Sequence, residues 1–124
     1  MSELVYRSMT LPDIEQVYEI ECSCFSQPWS VESLIGEVIR NDAASYVVAE
    51  DNGKIVGYAG MWQMFDEAHM TNIAVAAEYR CRGIATNLIL CLMQTAKANG
   101  GKRMTLEVRE FNHKAQRVYS ALGF

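Results

Sequence analysis

The chain has 124 residues, is 50% hydrophobic and carries a formal net charge of −4 at pH 7. This length predicts a single domain, residues 1–124, with enough apolar residues for a core. The negative charge argues against general nucleic-acid binding, which requires a basic surface. The sequence also shows no apolar run long enough to span a membrane and no signal-peptide pattern at its start, so we expect a cytoplasmic protein with no membrane partner.

The first forty residues predict one strand and two helices. Residues 5–7 are typical of a short strand. A helix is expected after Thr10, with Pro12 in its first turn, and a second helix is expected from Trp29 to about Ile39. Helical spacing of apolar residues predicts the inward faces of the two helices: Ile14, Val17 and Tyr18 in the first, and Leu34, Ile35 and Val38 in the second.

The middle of the chain predicts three consecutive strands, at residues 45–50, 54–64 and 68–75. The first two are separated by Asn52-Gly53, a pair that favours a tight hairpin turn. We therefore expect an antiparallel meander.

Residues 84–99 form the clearest predicted helix, which ends at Gly100-Gly101. Its expected inward stripe is Ile84, Leu88, Leu92 and Thr95, flanked by Ala85, Ile89 and Ala96. A strand at residues 104–108 and a helix at residues 112–122 complete the order β-α-α-β-β-β-α-β-α. This order predicts an α/β (α+β) fold with a mixed, mostly antiparallel sheet flanked by helices.

The loop before the long helix predicts an anion-binding site. A helix N-terminus offers unpaired N–H groups and a positive dipole end. Gly83 allows a ligand to approach the backbone, and Arg80 and Arg82 add positive charge. The loop lacks the Walker A ending and has too few glycines for a dinucleotide fingerprint. A loop with merely solvated arginines is the alternative.

The loop also resembles the Arg/Gln-x-x-Gly-x-Gly/Ala pyrophosphate motif of the GNAT superfamily of N-acetyltransferases. Further segments, in order over nearly the whole chain, resemble the RimI-type ribosomal-protein-alanine acetyltransferases. They are Phe25-Ser26-Gln27-Pro28-Trp29-Ser30, Asn72-Ile73-Ala74-Val75, Leu106-Glu107-Val108-Arg109, Asn112 and Tyr119-Ser120-Ala121-Leu122-Gly123-Phe124.

The resemblance implies acetyl-CoA as cosubstrate and a role for each matching residue. Glu107 would be the general base and Tyr119 the acid that protonates the CoA thiolate, while Asn112 would touch the CoA arm. Backbone groups of Ile73, Ala74 and Val75 would bind the pantetheine arm and the acetyl carbonyl. The diphosphate would be wrapped by Arg80, Cys81, Arg82, Gly83, Ile84, Ala85 and Thr86.

Other interpretations of the same residues stay open. Glu107 is alternatively a strand carboxylate paired with Arg109, and Tyr119 a packing residue of an amphipathic helix. Trp29 and Tyr58 are placed equally well in an acceptor cleft or in the core. The two histidines and four cysteines do not form a zinc-binding pattern, so we expect no metal site and reduced thiols.

The resemblance implies acetyl transfer to a protein N-terminal amine, that of the alanine of a small-subunit ribosomal protein. Family members continue with two further strands after the position of Phe124. An edge left uncovered there would favour a homodimer through that edge. The alternatives are a small-molecule amine acetyltransferase, a catalytically idle CoA-binding module and a nucleotide-binding domain.

Overall fold

The computed structural model describes residues 4–106 of the protein. Five strands form one sheet in the order β1-β2-β3-β4-β5: β1 Leu4–Ser8, β2 Ala44–Asp51, β3 Lys54–Met64, β4 Glu67–Val75 and β5 Arg103–Leu106. The helices of these residues are α1 Ile14–Cys24, α2 Val31–Ile39 and α3 Ile84–Ala98, with 3₁₀ turns at Leu11–Asp13 and Ala77–Tyr79.

The pairing of the strands confirms the predicted mixed sheet. Strands β1 to β4 pair antiparallel with their neighbours, whereas β5 joins β4 in parallel after the α3 crossover. The hairpin between β2 and β3 turns at Asn52 and Gly53, with φ of 50° and 85°, as the Asn-Gly pair predicts. The predicted helix at residues 112–122 and the end of the last strand lie outside the described residues. The predicted dimer edge lies there as well, and it stays a prediction.

The sheet separates two hydrophobic clusters. On one side, which we call the α3 face, Met61, Ile73 and Val75 of the sheet pack against Ile84 and Leu88 of α3. On the other side, the α1/α2 face, apolar side chains of the first two helices cover the strands; its buried members include Val17, Leu34, Tyr58 and Ala74.

The inward stripe of α3 differs from the prediction at its last position. Thr95 is exposed, and Ala96 is buried in its place. The spacing of four residues that leads from Ile84 through Leu88 and Leu92 continues to position 96. The Thr95 hydroxyl instead donates to the carbonyl of Cys91, at 3.0 Å.

Candidate active site

In the second half of β4, the peptide groups of every other residue point away from β3. Ala74 is paired with Tyr58, and the N–H of Ala76 donates to the carbonyl of Val56 at 2.8 Å. Because successive residues of a strand direct their peptide groups to opposite edges, those of Ile73 and Val75 point to the other side. Pairing between β4 and β5 runs from Glu67 to Met70 of β4, where the described part of β5 ends. The peptide groups of Ile73 and the N–H of Val75 therefore suit the predicted acetyl and pantetheine contacts, whereas Ala74 pairs with β3.

A β-bulge precedes this edge. Gly60 pairs with Asn72 and Met61 pairs with Met70, so Thr71 is an extra residue in β4. Such a bulge bends and twists its strand, and bulges are common beside active sites. The sequence carried no signal for it.

Arg80 anchors the start of the predicted anion loop. Its Nε donates to the carbonyl of Val75 at 3.2 Å, and its Nη2 lies 3.3 Å from the sulfur of Cys24 at the end of α1. The thiol of Cys24 contacts the same carbonyl, at 3.6 Å. These contacts direct the Arg80 side chain to the end of β4. A diphosphate contact of this side chain stays a prediction.

The N-terminus of α3 has no negative partner among the described residues. Gly83 occupies the N-cap position in the left-handed region, with φ of 79°, and no side chain among residues 4–106 caps the helix. The first turn contains no acidic residue. The N–H groups of Ile84, Ala85 and Thr86 therefore lack intrahelical acceptors, and the dipole end is not offset by a carboxylate.

Tyr79 supports the positive charge beside this turn. The guanidinium carbon of Arg82 lies 5.0 Å from the centroid of the Tyr79 ring, close enough for a cation–π contact. The Tyr79 hydroxyl donates to Asp51 at 2.7 Å, and this hydrogen bond raises the pKa of Tyr79 above its ordinary value. The ring thus holds the guanidinium of Arg82, a residue of the loop, in place.

A buried carboxylate organises the α1/α2 face near the site. Glu21 is fully buried, and it accepts hydrogen bonds from the Tyr58 hydroxyl and from the backbone N–H of Trp29, the latter at 2.8 Å. Tyr58 is thus a core residue, which decides one of the open alternatives, while Trp29 is half-buried. Sequence reasoning missed Glu21. Its signal was its place four residues after Val17, on the apolar stripe of α1.

Glu107, Asn112 and Tyr119 lie outside the described residues, so their predicted roles stay predictions. Residues 4–106 contain no cluster of three or more potential metal ligands. None of the helices in the same part of the chain has the length and apolar character needed to cross a membrane.

This combination of a strand edge and an uncapped helix N-terminus fits the GNAT acetyltransferase fold. Residues 14–124 match the model of the Acetyltransferase (GNAT) family, and the chain belongs to this family. It is an acetyl-CoA-dependent N-acetyltransferase, as its sequence predicted.

Particular relatives agree with this class. A Bacillus subtilis (strain 168) protein, to which [ribosomal protein bS18]-alanine N-acetyltransferase activity is ascribed, is 41% identical over 117 residues, which cover 94% of this chain and 78% of the relative. The crystal structure of the ribosomal-protein-S18-alanine N-acetyltransferase from Escherichia coli superposes with a TM-score of 0.86 and 27% identity, over 98% of this chain and 77% of that one.

A more distant structure shows the same fold with its ligand. The PaiA N-acetyltransferase from Thermoplasma acidophilum, in complex with coenzyme A, has a TM-score of 0.87 and 18% identity, over 98% of this chain and 89% of that one.

Proposed function

We propose that this chain acetylates the N-terminal amine of a protein, namely the N-terminal alanine of a small-subunit ribosomal protein. The observation that carries this proposal is the 41% identity to the Bacillus subtilis relative, whose ascribed activity names such an alanine. We further propose that residues 1–124 act as one acetyltransferase domain.

The cofactor is proposed to lie along β4 and to end at α3. Its diphosphate would accept hydrogen bonds from the first turn of α3 and from the loop over residues 80–86. Support comes from the positive φ of Gly83, which bares the backbone, and from the lack of an acidic residue in that turn. The pantetheine arm would pair with the peptide groups of Ile73 and the N–H of Val75, and Asn112 would contact the CoA arm.

The chemistry requires one proton acceptor and one proton donor. The neutral amine nitrogen attacks the acetyl carbonyl carbon and forms the C–N bond, and the C–S bond of the thioester breaks. Glu107 takes the proton that the amine nitrogen loses. Tyr119 gives its hydroxyl proton to the departing thiolate. Backbone N–H groups at the β4 edge would stabilise the negative charge that develops on the carbonyl oxygen.

The test is an acetylation assay with matched acceptors. We expect turnover with a peptide that begins with the ribosomal alanine, none with the same peptide blocked at its N-terminus, and little with a polyamine. Glu107→Gln should lower kcat by about 100-fold to 10,000-fold across the pH profile while CoA affinity is retained. Tyr119→Phe should lower kcat at nearly unchanged thermal stability, because the ring remains.

Each result has a counterpart that contradicts the proposal. Faster turnover of the polyamine than of the peptide would overturn the acceptor class. A Glu107→Gln protein with wild-type rates would remove Glu107 as base, and a Tyr119→Phe protein with full kcat would reassign Tyr119 to packing. Binding of CoA without turnover of any acceptor would indicate an idle module.

A further inference from the structure

Asn72 is an enclosed polar side chain. It is 4% exposed, and neither its Oδ1 nor its Nδ2 hydrogen-bonds to any group of residues 4–106. Proteins pair nearly all buried amide groups, because an unpaired one is costly. The carboxamide is therefore placed for a partner that this part of the chain does not supply.

The bulge at Thr71 determines which face of the sheet Asn72 occupies. Met70 lies on the α3 face, and simple alternation would put Asn72 on that face too. The extra residue shifts the alternation, so that Asn72 pairs with Gly60, next to the pair of Ala74 and Tyr58. Since Ala74 and Tyr58 belong to the α1/α2 face, Asn72 also lies on that face.

Gly60 leaves room on this face for a neighbouring ring. A Cβ added at Gly60 would overlap the ring of Tyr46, which comes from β2 and crosses β3 at this point. Tyr46, Gly60 and Asn72 thus form a row across three strands of the α1/α2 face. The side chains of Tyr46 and Asn72 are buried, and each ends in a polar group.

The row lies beside the proposed reaction centre. Asn72 directly precedes Ile73, whose peptide groups point to the β4 edge, and adjacent Cα atoms are about 3.8 Å apart. The α3 face of this edge is covered by Ile84 and Leu88. An amine that approaches the edge from the α1/α2 face passes Asn72.

We propose that the Asn72 carboxamide binds the first peptide unit of the acceptor. Its Oδ1 would accept from the peptide N–H, and its Nδ2 would donate to the peptide carbonyl, so both unpaired groups gain partners. The carbonyl carbon of the first residue lies about 2.5 Å from the amine nitrogen, which suits a contact one residue away from the acetyl site. Asn72 then selects chain N-termini over simple amines. This inference rests on the proposed function.

The test compares Asn72→Leu with the wild type on two acceptors. For an alanine-initiated peptide, the KM of N72L should rise about tenfold, the loss expected for one or two neutral hydrogen bonds. For a simple alkylamine, which has no peptide unit, kcat/KM should not change. CoA affinity should be retained, and the Tm should stay or rise, because leucine replaces an unpaired amide with an apolar group of similar shape.

A modified substrate sharpens the test. Methylation of the first peptide nitrogen removes the proposed donor, so it should reduce kcat/KM for the wild type and have little further effect on N72L. Asn41→Leu is the matched control. Asn41 hydrogen-bonds to Glu37 and Ala43, at 2.9 and 3.1 Å, so this change should lower the Tm and leave the peptide KM unchanged.

The outcomes separate this inference from the proposed function. A wild-type protein that acetylates no peptide would overturn the acceptor class and the inference together. If the wild type acetylates peptides, an unchanged KM in N72L or an equal loss with the alkylamine overturns the inference alone. Asn72→Ala provides the same comparison if N72L does not fold.

Discussion

The N-termini of α2 and α3 differ in how their unpaired N–H groups and positive dipole ends are treated. At α2, the Ser30 hydroxyl oxygen accepts from the N–H of Ser33 at 3.1 Å, and Glu32 adds negative charge to the first turn. At α3, the N-cap residue is a glycine, and the first turn contains no acidic residue. The protein thus satisfies one positive helix end with its own side chains, whereas the other has no such partner among residues 4–106 and suits the proposed diphosphate.

The largest effect should come from Gly83→Val, which we expect to weaken CoA binding on the order of 100-fold. The side chain would block the approach of the diphosphate and remove two or more charge-assisted hydrogen bonds. An added Cβ at Gly83 meets no atom within 4 Å, so the loss would not arise from an internal clash. Isothermal titration with CoA measures it.

Gly100→Val is the matched control for this change. Gly100 also has a positive φ, 86°, and open space around it, but it follows the other end of α3. Both variants should lose similar stability, roughly 1–2 kcal/mol from left-handed strain, and Gly100→Val should keep its CoA affinity. Equal CoA affinities in the two variants would contradict the proposal that CoA binds at the N-terminal end of α3.

Asp13→Asn tests the turn that leads into α1. Like the start of α2, this turn has a backbone N–H group that donates to a side chain of the protein. Asp13 accepts from Arg7 at 2.7 and 2.8 Å and from the N–H of Thr10 at 2.8 Å. We expect a loss of roughly 2 kcal/mol at neutral pH, since two charge-assisted bonds are weakened, and no change in CoA affinity. Thermal unfolding at several pH values measures it.

The pH dependence of that loss follows from the direction of the Asp13 shift. The hydrogen bonds from Arg7 hold the pKa of Asp13 below its ordinary value of 3.8. The stabilisation is therefore complete above pH 3.8, and it is lost as the pH falls through the lower pKa of Asp13 in the folded protein. The stabilities of wild type and variant should converge in that acidic range. A constant difference down to pH 2 would contradict the assignment.

Thr86→Glu should make the entrance of α3 resemble that of α2. A carboxylate in the first turn should stabilise the protein without ligand by about 0.3–1 kcal/mol and weaken CoA binding roughly tenfold through repulsion. Ser33→Glu adds the same charge to α2, where it should increase stability alone. If Thr86→Glu increased both the stability and the CoA affinity, this would show that no anion binds at the start of α3.

The smallest effect is expected for Ser30→Ala, which removes the cap of α2. The free energy of unfolding should fall by about 1 kcal/mol, as for other lost N-caps. CoA affinity should stay the same, because this helix end is satisfied by the protein. Weaker CoA binding in Ser30→Ala would mean that the two helix ends are coupled.

Features that depend on local chemistry could be predicted from the sequence. The Asn52-Gly53 turn and the start of α3 at Ile84 both lie where the sequence placed them, because turn and cap residues act within a few positions. The position of the loop before α3 could be predicted for the same reason, since Gly83 and its two arginines adjoin a helix start, whereas its anion binding stays a prediction.

Features that depend on tertiary register could not be predicted. Period-two alternation from Met70 would place Asn72 on the α3 face, and only the pairing with β3 reveals the extra residue at Thr71. Likewise, sequence reasoning missed Glu21, because its partner Tyr58 is 37 residues away along the chain. The last inward position of α3 was wrong because Thr95 and Ala96 are both plausible by spacing alone.

The parallel pairing of β5 with β4 has a consequence for the order of folding. The β2–β3 and β3–β4 hairpins join residues close in sequence, whereas Met70 pairs with Leu106 only after the whole α3 crossover. Closing this longer loop costs more chain entropy, so we expect the meander to form first and β5 to dock late. Pulsed hydrogen exchange should then protect the amides of β3 before those of β5. The β4 edge from Glu67 to Met70 would thus be paired only in the final step, so a nascent chain would complete its sheet after its meander has formed.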